Sequence, residues 1–336
     1  MPSNTREATR AASTPAVHGL APQRWRAFVR AIETRYPPRG AFVPVEGGRL
    51  HYLEKRLPGV EDSHTLVLLH GASGNACDMG MELFDALARR CRVLSFDRPG
   101  HGWSDRPGGV ADASPAAQGR LIRQALGRLG VESAIIVAHS WAGSLGLHMA
   151  LRHADIVHGL VLTGAASHPW PGGRVSWYHN LASQEGLGPL FARLAPLGQS
   201  VVEPALQTAF QPQKPPPDYV ERSALPLLFR PSQFRANAQD MTALHAFLSA
   251  QASDYPALAV PVTAIVGEAD EIVPMTHGEA LARQSSQVEL RVLKGQGHML
   301  QHMAVGEIVA AVDALPERVA RERLWRRLRK MRAAAQ

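Results

Sequence analysis

Residues 135–143 read IIVAHSWAG. An apolar, β-prone run stops at Ser140, and small residues crowd around it: Ala138 before, Ala142 and Gly143 after. The segment SAIIVAH (133–139) has the composition of a buried strand, and WAGSLGLHMALRH (141–153) that of a helix. A serine on such a strand-to-helix turn is held in a strained backbone conformation with its hydroxyl presented outward. The turn presses together the residue two before the serine and those two or three after it, so these must be small. The helix N-terminus aims N–H groups at the same point and favours negative charge there. The plainer alternative is a serine that only caps the following helix.

Outward from this turn, strands and helices alternate. AFVPV (41–45) and RLHYLEK (49–55) flank Gly47–Gly48 and read as a hairpin. TLVLLHG (65–71), RVLSFD (92–97) and VHGLVLTG (157–164) read as strands. Helices are expected over 79–89 and over 115–129, the second capped by Ser114 with Pro115 at its first position. Apolar strands alternating with helices imply a parallel sheet covered on both faces. The rhythm breaks near residue 168, where HPWPGG opens a stretch rich in Pro, Gly and aromatics that runs to Tyr255. It resumes with PVTAIVG (261–267), a helix near 276–284, VELRVLKG (288–295) and a helix from about 299. The expected organisation is a leader (1–22), an N-terminal helix (23–40), a sheet domain in two parts (41–167 and 256–315), a helical cap (168–255) and a basic C-terminal helix (316–336). No internal repeat is present.

The composition is that of an ordinary globular protein, 45% hydrophobic and 19% charged over 336 residues. No run of 18 apolar residues occurs, so no transmembrane helix is expected. The leader lacks an apolar core and reads as disordered rather than as a secretory signal. Two cysteines, Cys77 and Cys91, with no Cys-x-x-Cys, argue against a disulfide framework or zinc site and fit a reducing cytoplasm. The formal charge of +7 sits at the ends: net +5 over residues 1–40 and +6 over 317–332, leaving the remainder at −4. The basic pI is therefore no sign of nucleic-acid binding by the body. ERVARERLWRRLRKMR (317–332) carries Leu324, Leu328 and Met331 on one face, and the N-terminal segment carries Trp25, Phe28, Val29 and Ile32. Basic helices of this kind can make peripheral contact with an acidic membrane; stripes this short favour docking on the body, with the arginines solvated.

Four motifs, in order, carry a family resemblance: LLHGASGN (68–75), FDRPGHGWSD (96–105), AHSWAG (138–143), and the pair GEADEIVP (267–274) and GQGHML (295–300). Over about residues 40–315 the chain resembles a serine-nucleophile, esterase-like member of the α/β-hydrolase fold family with a helical cap. The resemblance implies a mostly parallel eight-stranded sheet with helices on both faces. It also implies Ser140 as nucleophile, His298 as base and Asp270 as acid, in the chain order that this fold uses. Glu268 and Glu271 compete with Asp270, with solvated loop charge as their plain role. LVLTGAAS (160–167) holds no acid, which favours Asp270. The implied oxyanion donors are the backbone N–H groups of Ala72 and Trp141. The departure from the family pattern is alanine at 138 and 142, where glycine is preferred; each adds one methyl and tightens the turn.

Other readings attach to single residues. His298 and His302 have a His-x-x-x-His spacing, but no Glu follows His298 and no third ligand is near, so no metal or other cofactor is expected. Side-chain alternation turns His139 away from Ser140 and makes it structural. The large apolar residues of the cap are Trp170, Trp177, Tyr178, Phe210, Phe229 and Phe247; with Trp141 they suggest an apolar pocket, for which Trp170, Trp177 and Tyr178 are candidates. The leading function is hydrolysis of a small or medium apolar carboxylic ester, with a small molecule as the partner. Alternatives are a carbon–carbon bond hydrolase of the meta-cleavage-product type with the same triad, cofactor-free haloperoxidase-like activity, and a non-catalytic ligand-binding protein. Haloalkane dehalogenases and epoxide hydrolases fit less well, because they use Asp where Ser140 stands.

Overall fold

The computed structural model describes residues 22–59, 64–79, 81–170, 175–195, 198 and 202–334, with side chains described from 23 to 320. The leader expected over 1–22 lies, apart from Pro22, outside these residues. Helix α1 (Pro22–Arg35) precedes the hairpin β1 (Ala41–Val45) and β2 (Gly48–Lys55), whose turn uses Gly47 at φ +77°. Then come β3 (Thr65–Leu69), the short helices α2 (Ala76–Met79) and α3 (Glu82–Ala88), and β4 (Arg92–Phe96). Helix α4 (Pro115–Arg128) follows, capped by Ser114 Oγ, which accepts from Ala117 N at 3.2 Å. Next are β5 (Ala134–His139), α5 (Ala142–Arg152) and β6 (Val157–Thr163).

The eight strands lie in the order β1-β2-β4-β3-β5-β6-β7-β8, where β7 is Val262–Gly267 and β8 is Val288–Leu293. Strand β2 runs antiparallel to both its neighbours, β1 and β4, and the other neighbouring pairs are parallel. From β3 the chain moves outward to β4, then returns to place β5 on the other side of β3. The crevice past the C-terminal ends of β3 and β5 is thus a topological switch point, the usual place for a ligand in such a sheet.

Alternation along the strands divides the core into two layers. Leu66 and Leu68 of β3, with Ile135 and Val137 of β5, pack with Leu83, Leu87 and Ile308 on one face. Val67 and Leu69, with Ile136 and Ala138, pack with Leu121, Leu145 and Leu147 on the other. This is why both strands read as unbroken apolar runs. Each fully buried leucine here contributes about 1.5–3 kcal/mol.

Between β6 and β7 lies the cap: α6 (Trp177–Ser183), α7 (Gly188–Ala192), α8 (Val202–Phe210), α9 (Tyr219–Arg222) and the long α10 (Pro231–Gln251). A buried charge cluster ties α10 to the loop after β4. Asp240 Oδ2 accepts from Arg98 Nη1 at 2.7 Å, His101 Nε2 at 3.0 Å and Gln118 Nε2 at 3.0 Å, and its Oδ1 from Arg106 Nη1 at 2.8 Å. Burial alone would raise the Asp240 carboxyl; Arg106, His101 and Arg98 outweigh it and hold the group well below the usual carboxylate range.

Helix α1 docks on the cap, with Phe28, Ile32 and Tyr36 buried beside Leu227 and Phe229. Of its apolar stripe, Phe28 and Ile32 are thus taken up within the chain, and Trp25 and Val29 are half-buried. After β7 come α11 (Thr276–Gln284), then β8, α12 (Leu300–Met303) and α13 (Val305–Ala334). The basic segment read as a separate helix from 316 is the second half of α13. Ile308, Ala311, Leu315 and Val319 form one buried stripe across Pro316, so packing carries the helix past the proline. The side chains of its basic run beyond residue 320 lie outside those described. Among the described residues no helix is long and apolar enough to cross a membrane.

Candidate active site

Strand β5 ends at His139, and Ser140 adopts φ +54°, a left-handed conformation that costs an L-residue about 1–2 kcal/mol. The surrounding backbone holds it there. Ser140 N donates to Thr163 O at 3.0 Å, and Ser140 O accepts from Gly143 N at 2.9 Å and Ala166 N at 3.1 Å. Space is made by glycine: a β-carbon on Gly143 would lie 2.3 Å from the Ala165 methyl. The elbow forms with alanine at 138 and 142, both fully buried.

Ser140 Oγ lies 2.9 Å from His298 Nε2, and His298 Nδ1 lies 2.7 Å from Asp270 Oδ2. The second Asp270 oxygen accepts from Ile272 N at 2.9 Å and Val273 N at 2.8 Å, so the carboxylate is fixed on both sides. Residues from three strand ends, 158 and 28 positions apart along the chain, meet in one hydrogen-bonded line. Gly164 allows this approach: a β-carbon there would lie 3.1 Å from both Asp270 Oδ2 and His298 Nδ1. Gly297 lets the histidine loop back onto the cap, its Cα facing the Gln211 carbonyl so closely that no β-carbon fits. Glu268 and Glu271 are exposed, and Glu268 accepts instead from Gly295 N at 3.1 Å.

Strands β3 and β5 pair Leu69 with Ala138, which sets the loops after them side by side. A β-carbon on Gly71 would lie 2.9 Å from Ser140 Cβ and 3.4 Å from Oγ, so the β3 loop presses on the serine. Ala72 follows Gly71, and Trp141 follows Ser140 as the residue before α5. The Trp141 ring is not part of the pocket. It lies beneath the Arg98 guanidinium, 4.0 Å from the ring centroid, and its Nε1 donates to Asp240 O at 3.1 Å.

Ser140 and His298 open into a cavity of about 480 Å³ between sheet and cap. Its wall is mainly apolar, with Leu194, Leu206, Leu225, Phe229, Phe234 and Met299 among its residues. Of the three aromatics expected to line it, only Tyr178 does. Trp177, next to it on α6, is 71% exposed, and Trp170 packs edge-on against His245 and beside His277. Phe210 is buried against Tyr219, and the half-buried Phe247 packs edge-on against His148.

His139 does not turn away from the site. Its ring lies 4.8 Å from that of His298 and forms part of the cavity wall, with Nδ1 at 3.0 Å from Thr163 O. Alternation presupposes extended backbone at both residues, and Ser140 is not extended. Burial, and then the field of His298, push the His139 imidazole down to about 3, so it is neutral near pH 7. His302 is turned to another partner: its Nε2 lies 3.0 Å from Asp78 Oδ1, which also accepts from the Tyr219 hydroxyl at 2.7 Å. Asp78 and Tyr219 line the cavity, and no motif in the sequence marks them.

Residues 64–304 match the alpha/beta hydrolase fold family. The chain belongs to that family. Among the relatives of this alpha/beta hydrolase is a 2-hydroxymuconate semialdehyde hydrolase of Pseudomonas putida, 30% identical over 62% of this chain and 71% of its own length. Solved structures share the fold. The enol-lactonase of Burkholderia xenovorans LB400 aligns with TM-score 0.66 at 20% identity, over 82% of this chain and all of the other. A thermophilic esterase of Thermogutta terrifontis aligns with TM-score 0.64 at 21% identity, over 83% and 98%.

Proposed function

We propose that this alpha/beta hydrolase is a serine hydrolase that cleaves carboxylic esters of small or medium apolar substrates through an acyl-enzyme. One observation carries the reading: the bonded line Asp270–His298–Ser140 ends at the wall of a largely apolar cavity. Serine needs an adjacent base to be a nucleophile near neutral pH. His298 Nε2 takes the Ser140 proton as Oγ attacks the ester carbonyl. Asp270 keeps the other ring proton on Nδ1 and stabilises the imidazolium that forms. The N–H groups of Ala72 and Trp141 receive the oxyanion, at about 3–4 kcal/mol of transition-state stabilisation for such a donor. His298 then protonates the leaving alcohol, and water repeats the sequence on the acyl-enzyme. A chain with just two cysteines, Cys77 and Cys91, and no Cys-x-x-Cys suits a reducing compartment such as the cytoplasm.

The relative from Pseudomonas putida supports a second reading, carbon–carbon bond hydrolysis with the same three residues. A dienone-acid substrate of that reaction carries a carboxylate. The described cavity wall contains no Lys or Arg to receive one, and burying an unpaired carboxylate is costly. The ester reading is therefore preferred. A fluorophosphonate probe should label Ser140, and a panel of p-nitrophenyl esters should be turned over faster than a dienone acid. Absence of a Ser140 adduct on folded protein would overturn the serine-hydrolase reading; faster turnover of the dienone acid would replace the ester by the carbon–carbon bond.

A further inference from the structure

Apart from His139, Ser140 and His298, the polar side chains on the described cavity wall are Ser73, Asp78, Tyr178, His179, Tyr219 and Asn237. Ser73 and Asn237 satisfy one another: Ser73 N donates to Asn237 Oδ1 at 2.7 Å, and Asn237 Nδ2 reaches Ser73 Oγ at 3.3 Å. Asp78 is different. It sits on α2, just beyond the loop that carries Ala72, and the hydrolytic steps make no use of it. It is only 4% exposed, yet it lines the cavity.

The two carboxylate oxygens of Asp78 are unequally occupied. Oδ1 takes both good donors, the Tyr219 hydroxyl and His302 Nε2. Oδ2 has, among the described residues, one long contact, Gln301 Nε2 at 3.4 Å. It lies beside Gly74, where a β-carbon would be 3.4 Å away. A carboxylate offers about four acceptor positions, and a buried one left short of donors is destabilising. Burial would raise the Asp78 carboxyl, but the His302 and Tyr219 hydrogen bonds and the field of His302 hold it below its ordinary value, so it is charged near pH 7.

We propose that Asp78 Oδ2 is the polar anchor of the cavity and receives a hydrogen-bond donor, a hydroxyl or ammonium group, carried by the substrate away from the reacting carbonyl. The proposal rests on reading this cavity as the substrate site. A donor to a buried carboxylate makes a charge-assisted bond, whereas an apolar tail leaves Oδ2 as it is. A carboxylate tail meets a like charge with no described cation on the wall. The preferred ester is thus apolar near the carbonyl and neutral-polar or cationic at one distal point. Sites that hydrogen-bond a substrate group discriminate strongly against analogues lacking it.

The test is calorimetric binding to the full-length protein of matched, non-hydrolysable ketones. Their tails end in methyl, hydroxyl, ammonium or carboxylate, over a ladder of tail lengths. At some length the hydroxyl or ammonium ketone should bind roughly tenfold or more tighter than the methyl one, with the carboxylate weakest. The comparison of hydroxyl with ammonium identifies the donor. In Asp78→Asn the advantage should fall to about twofold or less, while in Tyr219→Phe, which keeps the carboxylate and frees Oδ1, it should persist or grow. A methyl ketone that binds as well at every length, an advantage that survives in Asp78→Asn, or no binding by any ketone would overturn the proposal. Should Asp78→Asn fail to fold, the wild-type order and Tyr219→Phe still decide. Binding needs no turnover, so these results are separate from labelling of Ser140.

Discussion

The methyl group of Ala138 packs against the bare Cα of Gly146, beneath the turn that carries Ser140. A β-carbon on Gly146 would lie 3.1 Å from the Ala138 methyl and 2.9 Å from Leu160 Cδ1. The alanine two residues before the nucleophile is thus accommodated by a glycine on the helix behind it. Gly146→Ala should overpack this contact and destabilise the protein by about 1–3 kcal/mol. Adding Ala138→Gly should recover part of the loss, because it removes one of the two clashing groups. Urea unfolding of the two single variants and the double variant gives the coupling directly. Strict additivity would show that the two positions do not share this space.

Asp270 supports a sharper test of the proton path. Its Oδ1 accepts from two backbone N–H groups, Ile272 and Val273. In Asp270→Asn the amide oxygen must take that place, which turns the NH₂ toward His298 Nδ1. The ring nitrogen then has to accept, so its proton moves to Nε2, the atom that should receive the Ser140 proton. Turnover should fall by about 10³–10⁴-fold with the fold retained. The checks are kcat with the best ester and the rate of fluorophosphonate labelling. A loss of less than tenfold would remove Asp270 from the role given to it.

Some of this arrangement is legible in the sequence for a physical reason. Parallel strands buried on both faces are short apolar runs, and their C-terminal loops carry the chemistry, so His70–Gly71, Ser140, Asp270 and His298 stand beside easily read strands. Other parts are not legible. Asp78, Tyr219 and His302 come from three segments with no fixed spacing, and only the folded cap brings them together. Trp177 and Tyr178 are neighbours on one short helix, and composition does not give the phase that turns one outward and the other into the cavity. Trp141 reads as a pocket aromatic but serves as a platform for Arg98, because the Asp240 that holds Arg98 lies 99 residues away.

That phase difference on α6 makes a paired prediction. Tyr178→Ala removes a ring from the cavity wall, whereas Trp177→Ala removes one that is mostly in solvent. The first should weaken kcat/KM for the preferred ester on the order of tenfold, and the second should change it little. Equal effects, or the reverse order, would mean that the substrate enters over the outer face of α6 rather than along the described cavity.

Several imidazoles are pushed down by burial, His70, His179 and His277 among them, and two more, His101 and His139, illustrate the response to acid. Burial, and then Arg98, push His101 down to about 4, and His139 is pushed down to about 3. Both are far below the value of about 6.5 expected in the unfolded chain. Between these limits the unfolded state binds protons that the folded state does not, so stability must rise with pH and fall as the pH drops below about 6.5. Each such histidine contributes a slope of about 1.4 kcal/mol per pH unit within its window. For His101 that window closes near pH 4. The depressed carboxyl of Asp240 acts in the same direction at lower pH: its contribution is present above about 3.9 and is lost as the pH falls further. His101→Gln keeps a donor for Asp240 but has no proton to gain. Its unfolding free energy, measured in urea at several pH values, should lose about 1.4 kcal/mol per pH unit of slope relative to the parent between about pH 4.5 and 6. Parallel curves for the two proteins would show that His101 takes up its proton without opposition from the fold.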